Sequence, residues 1–123
     1  MKILIDSGFI HYINRNVKLD KKTTGKWLIF DKLENLDYLF HKLNPFIENG
    51  KLSHIKFTHR ALDDPFKDKT PVMCIYADDN NKEEVWNILS KLGVNKKIWK
   101  YDAQTYKDWK NGGRLDKEWN LKK

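Results

Sequence analysis

The sequence predicts an α+β domain: a curved, mainly antiparallel sheet with two helices packed on one face. Short apolar or alternating runs outnumber helical stripes. The connections between them are short, which permits antiparallel neighbours. At 123 residues the chain is one domain, and 40% hydrophobic residues let it bury a core without disulfides or metals.

Lys2–Ile5 is apolar and Phe9–Ile13 reads as a strand. Asp6-Ser7-Gly8 between them is turn chemistry, so the two runs suit a hairpin. Asn14 to Gly25 is polar and lysine-rich, a loop closing on Thr23-Thr24-Gly25. Lys26–Phe30 (KWLIF) is a strong short strand. Asp31 stands three residues before Glu34, a capping-box pattern. Leu33, Leu36, Phe40 and Leu43 then recur at helical spacing, with Leu39 widening the stripe. Pro45 is expected to limit this helix, and Asn49-Gly50 marks a turn.

Lys51–His59 alternates well enough for a strand with Leu52, Ile55 and Phe57 partly inward. Its imperfect parity leaves room for a bulge. Ala61 to Thr70 carries loop signals around Asp63-Asp64-Pro65. Val72–Ala77, β-branched and aromatic, reads as a central strand. Asp78-Asp79-Asn80-Asn81 is a turn and N-cap, and Glu83 and Glu84 favour the positive end of a second helix. Val85, Trp86, Leu89 and Leu92 are its buried stripe, and Gly93 suits the C′ position. Lys97–Tyr101 is the last strand. Residues 106–123 read as a loosely attached basic segment, or as a short helix using Leu115, Trp119 and Leu121.

The formal charge of +7 sits at the two ends of the chain, and residues 31–95 are slightly acidic. Basic charge with interleaved tryptophans suits polyanions in general. Only Arg15, Arg60 and Arg114 are arginine, so sequence-specific reading of nucleic acid is disfavoured. The single Cys74 lies in an apolar run and reads as a small core residue. A lone cysteine forms no internal bridge, and this points to a cytoplasmic location. No apolar run has the length of a membrane span, and the N-terminus turns acidic too soon for a signal peptide.

Metal and nucleophile chemistries find no motif. His11, His41, His54 and His59 are the only histidines, and His54 and His59, five apart, are expected on opposite faces. HExxH, GxSxG, Walker and GxGxxG patterns are absent, and no cofactor is expected. What remains is a distributed polar set: Lys26, Lys56, Arg60, Tyr76, Lys100, Asp102 and Thr105. Lys56 and Lys100 each stand between apolar neighbours. A lysine inside a strand faces solvent, snorkels at an edge or binds an anion. Asp102 either pairs with a lysine or caps the following turn.

The series GKWLIF, a helix beginning near DKLENL, then ENGKLSHIKFT, PVMCIYADD, a helix ending KLG, and WKYDAQT resembles the phosphothreonine lyase domain-containing family of unknown function. The resemblance covers about residues 25–106. Members share the shape of the cap-binding translation initiation factor, a curved sheet backed by helices. The family label implies a carbon–oxygen lyase that removes phosphate by β-elimination. Such enzymes use a lysine base, a histidine acid, and lysine, arginine and tyrosine groups around the phosphate. By this resemblance Lys56 in IKFT corresponds to the base, Tyr76 in CIYADD to the phosphate-side tyrosine, and Lys26 in GKW to the phosphate-binding lysine that precedes the acid by two. That correspondence puts Leu28 where the acid belongs, and the neighbouring loop offers only Arg60, Lys67 and Lys69 for the arginine. Elimination needs both a base and an acid, so the resemblance implies the fold more firmly than the reaction. Cap binding needs two tryptophans sandwiching a base, and no spacing among Trp27, Trp86, Trp99, Trp109 and Trp119 singles out a pair.

The leading functional expectation is a non-catalytic binding module for a phosphorylated or nucleotide-like anion, a small molecule or a phosphopeptide, on the concave sheet face. Lys26, Lys56, Arg60 and Lys100 would attract the anion, and Tyr76, Asp102 and Thr105 would orient it. The alternatives are a lyase with Lys56 as base and His54 or His59 as acid, and a small viral or mobile-element protein that binds a host protein. Nucleic acid without sequence specificity also fits the charge; with no apolar run of spanning length, no membrane partner is expected.

Overall fold

The computed structural model describes residues 2–6, 8–58 and 70–103, with side chains from residue 8 onward. Arg60, Thr105, His59, the loop 61–69 and the segment 106–123 lie outside the described residues. The elements are β1 (Lys2–Asp6), β2 (Phe9–Ile13), β3 (Gly25–Phe30), α1 (Leu33–Glu48), β4 (His54–Thr58), β5 (Val72–Ala77), α2 (Lys82–Lys91) and β6 (Trp99–Tyr101). The strands form one sheet in the order β1-β2-β4-β5-β3-β6, and every neighbouring pair is antiparallel. This is the expected α+β class.

Both helices cover one face. Leu36, Phe40, Leu43 and Ile47 of α1, with Val85 and Leu89 of α2, pack against Trp27, Ile55, Phe57, Met73, Ile75 and Ala77 of the sheet. The period-2 alternation of the strands sends the intervening residues to the other face. There a smaller apolar cluster forms from Phe9, Leu28, Val72 and Cys74, flanked by Phe30, Tyr76 and Ile98.

Two local expectations need correction. Helix α1 runs through Pro45 to Glu48 instead of stopping there. A proline inside a helix removes one N–H and frees the carbonyl four residues earlier, here that of His41. Pro45 and His41 both lie on the exposed side of α1, where solvent can satisfy that carbonyl. Strand β4 carries no bulge: its register with β2 and with β5 is continuous. Leu52, whose parity suggested one, precedes the strand and is buried with its N–H bonded to the Phe46 carbonyl at 2.9 Å.

The helix ends follow local chemistry. Asp31 accepts from the Lys32 N–H at 2.7 Å and from the Asn35 side chain at 2.9 Å, so Asn35 is its side-chain partner at the start of α1. Before α2, Asp78 Oδ1 accepts from the Asn80 and Asn81 N–H groups, while Asn81 Oδ1 accepts from the Asp78 N–H. Asp78 Oδ2 also accepts from the Asp20 N–H at 2.7 Å, which ties the 14–24 loop to the end of β5. Gly93, at φ 98°, closes α2: its N–H reaches Ser90 O and the Val94 N–H reaches Leu89 O, each at 3.1 Å.

Candidate functional site

On the face away from the helices, strand register lines up the polar residues in rows. Lys100, Lys26, Tyr76 and His54 are successive cross-strand neighbours on β6, β3, β5 and β4. One step along, Leu28, Cys74, Lys56 and His11 are neighbours on β3, β5, β4 and β2. Lys26 and Lys56 are therefore two strands and two residues apart, roughly 12 Å between backbones on the grid of an antiparallel sheet. Five of the seven residues expected to form the site, Lys26, Lys56, Tyr76, Lys100 and Asp102, fall in this region. The other two, Arg60 and Thr105, lie outside the described residues.

The contacts fix the individual roles. Lys26 Nζ donates to Asp102 Oδ1 at 3.2 Å, and its side chain is 11% exposed against 47% for Asp102. Asp102 is thus a lysine partner, and its N–H donates to the Thr24 carbonyl at 2.9 Å. Lys26 also lies 5.6 Å from the centre of the Tyr76 ring. Lys100 is buried, at 0% exposure. The ammonium of Lys56 lies 4.4 Å from the centre of the Phe9 ring.

Two histidines join this face. The His54 ring stacks on Tyr76 at 4.4 Å with 12° between planes. His11 Nδ1 and His54 Nε2 are 3.0 Å apart, so one donates to the other. Sequence reasoning noted both histidines without pairing them. Alternation in FIHYI and HIKFT places each on a face, but the pairing of β2 with β4 joins residues 43 apart.

Burial sets the protonation states. It pushes the Tyr76 phenol up, with Cys74 and Asp102 adding to the effect, so Tyr76 keeps its proton and can donate. Burial likewise raises the Cys74 thiol, opposed in part by Lys56 and Lys26, and leaves it an inert core group. His54 is lowered from 6.5 to about 4 by burial first, then by His11 and Lys56. His54 is therefore neutral at physiological pH and is no reservoir of protons for a leaving group.

That shift makes stability depend on pH. The unfolded chain binds a proton at His54 near pH 6.5, the folded chain only near 4. This contribution is complete above about pH 6.5 and falls as the pH drops toward 4, with an expected loss of about 3 kcal/mol from this group at the acid end. Urea titrations at pH 7 and pH 4.5 should show a smaller difference in His54→Gln than in the parent chain; equal differences would mean the imidazole is solvated.

The helix side of the sheet holds a different arrangement. Trp27 lies 5.1 Å from Trp86 and 5.0 Å from Trp99, and Trp27 is buried with its Nε1–H donating to the Lys82 carbonyl at 3.0 Å. Trp27 thus packs against both other indoles. At the rim, Tyr101 Oη donates to Asp79 Oδ1 at 2.7 Å, and Lys82 Nζ donates to the same oxygen at 3.1 Å and to Tyr101 Oη at 2.8 Å. These bonds hold the Asp79 carboxyl below its ordinary range and raise Lys82.

A cleft of about 400 Å³ opens elsewhere, between the start of α1 and the loop after α2, lined in part by Phe30, Tyr38, Leu39, Val94 and Ile98. Its cations, Lys42 and Lys96, come from the helix and the loop, and none of the lysines of the sheet face lines it. Among the described residues no three of His, Cys, Asp and Glu could hold a metal ion, and no helix is long and apolar enough to cross a membrane. No protein family, curated protein or solved structure matches this chain.

Proposed function

We propose that this domain is a non-catalytic receptor for a phosphorylated or nucleotide-like anion, held on the sheet face opposite the helices. The observation that carries this reading is the direct cross-strand pairing of Lys26 with Lys100, with Lys56 on the same face two strands from Lys26. Cations withdrawn from water bind anions more strongly than solvated ones, because less screening separates the charges. The protonated Tyr76 adds a donor beside Lys26. Asp102 is the resident counter-charge that an incoming anion displaces or shares.

Catalysis is the weaker reading. Lys56 and His54 share β4 and one face, as an elimination base and acid would need. A neutral His54 supplies no proton to the departing phosphate oxygen. Phosphothreonine peptides are expected to keep their mass after long incubation.

Calorimetry at low salt, with nucleotides and phosphopeptides as a panel, tests the receptor reading. Binding should appear with at least one member and weaken about tenfold or more in Lys26→Ala and in Lys56→Ala. Silence across the panel, or affinity unchanged in both variants, would remove the proposal.

A further inference from the structure

Strand β1 is one edge of the sheet among the described residues. Which of its backbone groups face outward follows from register. The Asn14 N–H bonds Ser53 O at 2.8 Å, continuing the β2–β4 ladder. In an antiparallel pair the bonding residues alternate, so Ile10, Tyr12 and Asn14 bond toward β4, and Phe9, His11 and Ile13 bond toward β1. Their partners on β1 are Asp6, Leu4 and Lys2. The N–H and C=O groups of Ile3 and Ile5 therefore point away from β2, to the outer side of the sheet as formed by the described residues.

The strand reads Lys-Ile-Leu-Ile-Asp. Placed antiparallel to a second copy with Leu4 opposite Leu4, it sets Ile3 opposite Ile5 and Lys2 opposite Asp6, twice each by symmetry. The four outward groups on each chain then find partners in two reciprocal pairs. Residues of opposite charge then occupy facing register positions at both ends of the ladder, and residues of like hydrophobicity occupy those in between. In a slipped register the ends no longer match. A short edge strand with charged ends is also a common way of discouraging association. Here, however, the two charges have opposite sign and lie at equal distances from the central residue, so a two-fold axis turns them from guards into complements.

We infer that β1 is a self-association edge, joining two copies of this chain into a continuous sheet about a two-fold axis through Leu4. The axis stands perpendicular to the sheet, so all the helices lie on one side and both lysine faces on the other. The contact is small, and the dimer is expected to dissociate in roughly the micromolar range.

Sedimentation velocity of the full chain, from low to high micromolar concentration, tests this together with a charge swap. The parent chain should dimerise, more weakly as salt rises. Lys2→Asp and Asp6→Lys, each placing like charges opposite one another at both ends, should lose about tenfold or more in association. An equimolar mixture of the two variants should recover a heterodimer, because each then presents the charges the other lacks. Circular dichroism confirms that each variant is folded. A parent chain that stays monomeric, single variants that associate as well as the parent, a mixture of folded variants that fails to associate, or a parent dimer indifferent to salt would each overturn the inference.

Discussion

Gly25→Ala is expected to lose about 2–4 kcal/mol of stability and to weaken anion binding in the same variant. A Cβ at this position would lie 2.7 Å from a ring carbon of Trp99 and 2.9 Å from the Tyr101 Cα, and it would press on the Lys100 carbonyl. Two of these neighbours are backbone, so they cannot swing aside as a side-chain tip can. Gly25 starts β3 and pairs with Tyr101, so the strand that must move is β6, which carries Lys100 and leads into Asp102. A displaced β6 separates Lys100 from Lys26. The control is Gly93→Ala, where an added Cβ meets nothing within 4 Å but the positive φ of 98° is strained. That variant should cost about 1 kcal/mol and leave binding unchanged. Thermal melts and calorimetry on both variants check the pair. Equal binding losses would show that affinity follows global stability and owes nothing to β6.

Removing the counter-charge of Lys26 should move affinity in the opposite direction. Asp102→Asn keeps the shape of the side chain and deletes the carboxylate 3.2 Å from Lys26 Nζ. A bound anion would no longer compete with Asp102 or be repelled by it. The expected gain is about three- to tenfold at low salt, limited because Asp102 is 47% exposed and its field is screened. Lys26→Glu reverses the charge at a side chain only 11% exposed, and binding should fall by about a hundredfold. Titrations at two ionic strengths separate the charge effect from a folding defect, since the gain in Asp102→Asn should shrink with salt. A loss of affinity in Asp102→Asn would mean that the carboxylate contacts the ligand itself.

Much of this arrangement could be read from residue patterns. Alternation around Lys26, Lys56 and Lys100 identified cations inside strands, and the register then set them on one face. The stripe Leu36, Phe40, Leu43 placed the first helix, and Gly93 closed the second. The His11–His54 contact was out of reach because it depends on which strands become neighbours, and β2 skips over β3 and α1 to find β4. Pro45 misled for a related reason. Its penalty depends on whether the freed carbonyl is wet or buried, and that is decided by which way α1 faces the sheet. Asp102 has two readings in the sequence: its pairing with a lysine is seen at Lys26, and the turn it could cap lies outside the described residues.

The contact between Trp27 and Trp99 has a spectroscopic consequence. The two indoles lie 5.0 Å apart and inclined by 60°, one on β3 and the other on β6. Aromatic chromophores this close couple their excited states, giving near-ultraviolet dichroism that an isolated indole lacks. Trp86 also lies close to Trp27, so the part of that signal lost in Trp99→Phe is a native optical probe of whether β6 is seated against β3, readable in solution without a label.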